Sequence, residues 1–440
     1  MSLTSTIARP SETGYPNRQT ESIGLSDLRR GEVDDAAEDV QAPHNATEAV
    51  PDGGYGWTVV AACSLLLFWI NGYITAWGVL QTAIVQSAQL HTDVRTVTFV
   101  GSLFLGCVAA FSLASVRAMS AFGVRSTNVA AVVVFGLGLV AISFTLGNLA
   151  GLFCIAGAVL GCVASLMFTA TNTLPIQWFS SRLGMANGLV KAGGGIGATV
   201  MPIATQGLID RLGVPWAVRT IGILALVTGV PCAWLLRERA RTGVVASRFD
   251  WSLARNIPFV VVTTAGAVGV FALYVPPFFL PLFAKSIGLS SSTAAGRLLG
   301  GWACDRIGAF NALAVTTLIN SVSMLAIWPV STSLPPLFTF AILNGCANGS
   351  FFVALPTAVA ALAPGSAATS ISLMTSFWTP GYLLGTPLAG ILIDATGAAD
   401  ASSIEPYRAA IFYAAGTGVL ATLLVVIARM RLDMKLIKKL

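Results

Sequence analysis

Residues 126–181 and 307–393 contain no Asp, Glu, Lys or Arg. A soluble domain spreads charges over its surface, so stretches of this length without one do not fit a water-exposed fold. They do fit a bilayer. Apolar runs recur from Trp57 to residue 428, each near the ~20 residues that span ~30 Å of hydrocarbon as a helix. Lipid offers the backbone no hydrogen-bonding partners, so each run must close its own bonds as an α-helix. The two charge-free stretches are therefore two and three consecutive spans joined by short turns. With 55% of residues apolar and 10% charged, the composition of the whole chain agrees with an all-α membrane protein.

About twelve spans are expected, near 57–80, 96–116, 126–146, 149–173, 184–209, 216–236, 257–283, 288–304, 308–330, 335–361, 368–393 and 408–428. Charge asymmetry orients them. With the amino terminus inside, the cytoplasmic connections and carboxyl tail collect fourteen Lys or Arg, including Arg117, Arg125, Arg182, Arg237, Arg306 and Arg429, against five on the other side. Both ends inside and an even number of spans is the arrangement the positive-inside rule favours. Residues 1–50 hold nine acids and four arginines with a single aromatic residue, Tyr15. That segment is too polar to bury a core and reads as a disordered cytoplasmic tail. No apolar run precedes residue 57, so the first span itself is expected to direct insertion.

The seven cysteines are scattered singly through apolar spans, and the two histidines, His44 and His91, sit in the tail and in a loop. Neither pattern suggests a metal centre or a disulfide framework, and the cysteines read as small packing residues. No carboxylate pair or activated nucleophile stands in the spans, so an enzyme is not expected, nor any cofactor. The glycine-rich run Gly193-Gly194-Gly195-Ile196-Gly197 lacks the preceding strand and following Lys-Ser or Lys-Thr of a phosphate loop. Gly184, Gly188 and Ala192 share one helical face, as do Gly193 and Gly197, and such faces let a neighbouring helix come close.

An internal duplication is visible. Gly207-Leu208-Ile209-Asp210-Arg211-Leu212-Gly213 matches Ile391-Leu392-Ile393-Asp394-Ala395-Thr396-Gly397 at an offset of 184 for the Asp and final Gly, and Gly197 and Gly381 keep that offset. Ser120-Ala121-Phe122-Gly123 aligns more weakly with Asp305-Arg306-Ile307-Gly308 on its last glycine. Two parallel six-span halves belong to transporters. The expected organisation is a tail at 1–50, an N-terminal six-helix bundle at 51–236, a cytoplasmic linker at 237–256, a C-terminal bundle at 257–428 and a basic tail at 429–440. The second half is short. Trp57 to Gly123 uses 67 residues where Pro258 to Gly308 uses 51, which predicts a shortened eighth span.

Three segments carry a family resemblance. Pro51-Asp52-Gly53-Gly54-Tyr55-Gly56-Trp57 resembles the motif that precedes the first span in the monocarboxylate transporter family of the major facilitator superfamily. Trp178-Phe179-Ser180-Ser181-Arg182-Leu183-Gly184-Met185-Ala186-Asn187-Gly188 is similar to the run that opens its fifth span. Gly296-Arg297 through Asp305-Arg306-Ile307-Gly308 resembles the end of the eighth span and the loop after it. The resemblance covers residues 51 to about 428 and is closest to the fungal branch, whose members include riboflavin and carboxylate permeases and carriers encoded beside secondary-metabolite pathways. It implies a major facilitator-type fold. The lysine that animal lactate carriers of this family place in the first span is absent, the aligned position falling near Thr75. Thr293 stands where they have an acid. Lactate-type proton coupling is therefore not implied.

Candidate substrate-binding residues lie inside the spans. Arg297 comes first, because a guanidinium within a span is costly and its fork of donors suits a carboxylate; it could also snorkel from a shortened helix. Lys191 lies two turns into the fifth span, either in a cavity or reaching the interface. Asn71, Tyr73, Asn172, Tyr274, Asn344, Asn348, Trp378 and Tyr382 are polar or aromatic groups that must face one another, water or a ligand. Pro276, Pro277 and Pro281 interrupt the seventh span and free carbonyls there. The expected protein is a secondary active transporter in a membrane, read as the plasma membrane, moving a small organic anion or metabolite with a proton as a candidate coupling ion. Lipids are its surroundings, and nothing suggests nucleic acid. Export of a secondary metabolite leads; uptake of a monocarboxylate or riboflavin-like vitamin, or a non-transporting receptor or scaffold, remain open.

Overall fold

The computed structural model describes residues 52–86, 94–239, 255–276, 302, 304–331, 334–363, 366–396 and 407–432. The tails expected at 1–50 and 429–440, much of the linker, and the eighth span with Arg297 lie wholly or largely outside these. Among the described residues every regular element is a helix. They are α1 (Tyr55–Gln86), α2 (Val94–Ala110), α3 (Ser112–Phe122), α4 (Val124–Ile142), α5 (Leu149–Leu152), α6 (Leu160–Trp178), α7 (Leu183–Leu235), α8 (Ile257–Leu273), α9 (Ala309–Val322), α10 (Leu334–Leu362), α11 (Ala367–Ser376), α12 (Thr379–Ala395) and α13 (Arg408–Leu432). π-helical turns at Phe153–Val159 and Ser323–Ile327 join α5 to α6 and extend α9.

These elements match the expected spans apart from the eighth. Seven are long and apolar enough to cross a membrane as they stand. α2 and α3 form a further span bent by 54°. α7 is 53 residues long, which at 1.5 Å per residue would be roughly 80 Å, more than two bilayers. It breaks at Gly213, whose φ of 76° and ψ of 166° no helix contains. Pro215 then restarts the chain, since proline is tolerated in a first turn where its missing N–H costs nothing. The single helix is thus the fifth and sixth spans. α11 and α12 likewise make one span, interrupted at Phe377 and Trp378.

Close packing holds the spans where helices can approach only through glycine. A Cβ added at Gly197 would run into the Phe68 carbonyl of α1, and one at Gly193 would lie 2.7 Å from Ser64 Cβ. Gly381, at the duplicated position, makes a looser approach in the second half: its Cβ would fall 3.2 Å from the Ala267 carbonyl of α8, and that of Gly385 3.1 Å from Phe271 O. The loop glycines also correspond. Gly123 (φ 81°, ψ 149°) and Gly308 (φ 90°, ψ 152°) both precede a helix in nearly one conformation, which side chains rarely adopt. The match rested on a single glycine in sequence, and geometry now supports it.

In the first half α7 packs along α1 and α4, and α6 along α2; in the second, α8 packs on α13, and α9 on α10 and α13. The halves meet where α2 faces α12, α7 faces α10, and α11 lies against α3 and α6. Gly197→Ala should lower the thermal midpoint in detergent, an overpacking cost of about 1–3 kcal/mol. Gly207→Ala, with no atom within 4 Å of the new Cβ, should not lower it. Equal melting of the two variants would contradict the packing assignment.

Candidate functional site

A cavity of about 30 Å³ lies where the halves face each other. From the first half it takes Leu67, Ile70, Asn71 and Ile74 of α1, Leu105 and Val108 of α2, Phe168 of α6 and Lys191 of α7; Tyr274, Phe352 and Tyr382 come from the second. Lys191 is the one charged side chain among the described residues lining it. The lysine is 4% exposed. Its Nζ donates to Asn172 Oδ1 at 2.5 Å and stands 4.9 Å from the centroid of the Phe168 ring. Asn172 is held in turn, its Nδ2 donating to Phe168 O at 2.7 Å. Snorkelling is therefore not what Lys191 does: its stem points inward from the glycine-rich stretch of α7.

The second half contributes an aromatic wall. Tyr274 and Tyr382 lie 5.4 Å apart by ring centroids, Tyr274 and Phe352 6.3 Å. Such edge-to-face rings present an apolar surface with hydroxyls at its margin. Phe168 and Phe352 carried no sequence signal, because an aromatic residue in an apolar span looks the same whether it lines a cavity or fills a core.

Asn172 meets the cavity only through Lys191, and four other predicted residues do not reach it. Tyr73 is buried among Trp77, Phe104 and Phe135, and its hydroxyl donates to Ala156 O, a carbonyl in the π-helical turn, at 3.1 Å. Asn344 donates to Asn320 Oδ1 at 2.6 Å and Ser323 Oγ at 3.3 Å, joining α10 to the end of α9. Asn348 donates to Leu273 O at 2.8 Å. That carbonyl would ordinarily receive the N–H four residues on, but Pro277 has none, so the amide fills a gap the proline creates. Trp378 sits behind the wall, 6.1 Å from Tyr382 and 5.9 Å from Phe352. The proline-freed carbonyl is used as expected, though for helix packing. Asn71, Asn172, Lys191, Tyr274 and Tyr382 are brought together, and Arg297 lies outside the described residues.

Toward the arginine-rich end the halves are latched. Asp305, from the turn before Gly308, accepts from Gly184 N at 2.8 Å and Met185 N at 2.7 Å. These are among the first N–H groups of α7, which have no partner within the helix and sit at the positive end of its dipole. Two residues on, Asn187 Nδ2 donates to Thr357 Oγ1 of α10 at 3.1 Å. Asp52 holds the preceding loop, accepting from Ser180 N at 2.7 Å, Ser181 N at 2.9 Å and Ser181 Oγ at 2.9 Å. Those hydrogen bonds, that to Ser180 N foremost, keep the Asp52 carboxyl below its ordinary pKa. The motifs at 51–57 and 178–188, distant in sequence, thus form one structure.

A polytopic helical protein with a small site between two halves belongs to the class of membrane carriers. Matches to known proteins agree. The Major Facilitator Superfamily profile matches residues 58–296 and 291–438, and the chain belongs to that family. Its relatives include the "MFS-type transporter pynF" of Aspergillus niger, 25% identical over 80% of this chain and 85% of that one. The "Aspyridones efflux protein apdF" of Emericella nidulans is 26% identical over 85% and 79%. The E. coli fucose:proton symporter FucP shares the fold, with a TM-score of 0.63 at 16% identity over 86% of this chain and 99% of its own. The chain is a multi-pass membrane transporter of a small organic metabolite, not an enzyme.

Replacing Asp305 by Asn removes the charge from the helix terminus, a loss on the order of 2 kcal/mol, or roughly thirtyfold toward the state open at this end. Spin labels at Phe122→Cys and Ser366→Cys should then report longer distances; an unchanged distribution would contradict the latch. Because the Asp52 pKa is lowered on folding, its contribution is present above the ordinary carboxylate value and is lost only as pH falls through the lowered one. Hydrogen exchange at 180–185 should thus be pH-independent in protection between pH 7 and 5 after correction for intrinsic rates. Asp52→Ala should raise it at both.

Proposed function

We propose that the chain is a secondary active exporter of a small organic anion at the plasma membrane, with Lys191 as the group that holds the anion. The supporting observation is the cavity itself: a buried lysine, hydrogen-bonded to the Asn172 amide oxygen, against apolar and aromatic walls. An anionic oxygen in place of Asn172 Oδ1 makes a stronger, charge-assisted bond to Nζ. Tyr274, Phe352 and Tyr382 suit an apolar or aromatic body attached to that anion.

The present cavity has room for one or two waters, too little for a metabolite. Loading then requires the halves 51–236 and 257–428 to part, and the Asp305 latch supports a state closed at the arginine-rich end, which the charge pattern makes cytoplasmic. Alternation between this state and its opposite moves the anion. An ion or substrate gradient drives it, and Lys191 is the candidate carrier of a coupled proton. Arg297 is a second candidate cation on sequence grounds. The efflux named for the Emericella relative favours export; the monocarboxylate-type motifs at 51–57 and 178–188 favour a carboxylate as the anion.

Disruption of the gene should raise one or more organic acids inside cells and deplete them from the medium, measured by mass spectrometry of both. Restoring the wild type should reverse this, whereas Lys191→Met, made at equal abundance, should restore about a tenth or less, from the ~1.5–3 kcal/mol of a charged hydrogen bond. Full rescue by Lys191→Met would remove the lysine from the site. Depletion inside cells on disruption would replace export by uptake.

A further inference from the structure

Helix α6 and the π-helical turn before it meet α2 through small residues spaced four apart, Gly157, Gly161, Ser165 and Thr169. A Cβ at Gly157 would lie 2.9 Å from Leu103 Cδ2, and one at Gly161 would lie 2.7 Å from Phe104 O and 2.6 Å from Cys107 Cβ. The two backbones therefore approach more closely than larger residues permit. Hydrogen bonds fix the register beyond the crossing: Ser165 Oγ donates to Val108 O at 2.7 Å, and the Ser112 and Thr169 hydroxyls are 3.2 Å apart. This contact is rigid and internal to the first half.

At its edge stand two cysteines 55 residues apart in sequence. Cys107 lies against Gly161, which brings it beside Cys162, the next residue on α6. Both side chains are half-buried. Phe99, two turns before Cys107, is 49% exposed, and Val159, one turn before Cys162, 38%, so the pair opens toward the hydrocarbon. A disulfide needs Cα atoms about 4.4–6.8 Å apart and facing Cβ atoms. Glycine-mediated crossing is the condition under which two helices reach that range.

We propose that Cys107 and Cys162 are a membrane-facing oxidisable dithiol, converted by organic hydroperoxides to a disulfide that staples α2 to α6. One sulfur attacks the peroxide, breaking its O–O bond to give a sulfenic acid and releasing the alcohol. The second sulfur then displaces the sulfenic oxygen, which leaves as water with the two thiol protons accounted for. Two electrons pass from the sulfurs to the peroxide. The staple joins helices of one half, so it stiffens that half and leaves the interface between halves free to move. Gly106, beside Cys107, faces Leu383 of α12 across that interface.

The test uses the full chain, reduced, in lipid nanodiscs, exposed to cumene hydroperoxide, then denatured and alkylated with N-ethylmaleimide for mass counting. Seven reactive thiols should fall to five, with one linked peptide pair containing Cys107 and Cys162, and dithiothreitol should restore seven. Cys107→Ser and Cys162→Ser should each start at six thiols, lose at most the one remaining thiol of the pair to a sulfenic acid that dithiothreitol reverses, and give no linked peptide. The oxidised wild type should also melt higher than the reduced form, and neither variant should gain. Retention of seven thiols, linkage between another pair such as Cys63 and Cys232, or equal thiol loss in Cys107→Ser would overturn the proposal.

Discussion

A positive charge enclosed by helices in hydrocarbon persists only if the protein supplies what water would have. Lys191 is placed so, and the architecture around it can be read as the means of keeping it there. Glycines at 193 and 197 bring α7 against α1, so the lysine stem leaves the helix toward the interior. Asn172, itself anchored on the turn above, supplies an oxygen, and Phe168 supplies a ring face. These contacts hold the lysine in the cavity wall between the halves.

The same economy appears at the latch. The start of α7 presents unpaired N–H groups wherever the helix begins, and an opposing carboxylate is a ready partner. Asp305 comes from the opposite half, so closing that end and capping the helix are one event. Asp52 grips the adjoining loop from within the first half, which leaves α7 positioned when Asp305 withdraws. Polar contacts such as these at one end of the interface can be broken for a few kcal/mol, which suits a rocking motion.

Much of the fold was legible because lipid removes alternatives. Charge-free length alone dictated helices. The duplication at Gly197 and Gly381 was visible as letters and became meaningful as a close helix approach in each half, tighter at Gly197. The site was less legible. Lys191 and Asn172 stood out by polarity, but so did Tyr73, Asn344 and Asn348, whose partners are carbonyls or amides released by π turns and by Pro277. Polarity in a span signals that a partner is required; it does not say whether that partner is protein or ligand. Phe168 and Phe352 gave no signal, and the Cys107–Cys162 contact could not be seen without the crossing that creates it.

The central claim is that Lys191 occupies a place that opens to each side of the bilayer in turn. In a chain with its other cysteines replaced, Lys191→Cys can be probed with a membrane-impermeant methanethiosulfonate in right-side-out and inside-out vesicles. Labelling from both sides, slowed at the cytoplasmic face when Asp305 is intact and hastened there in Asp305→Asn, is the predicted result. Labelling from one side alone, whatever stands at position 305, would contradict the account.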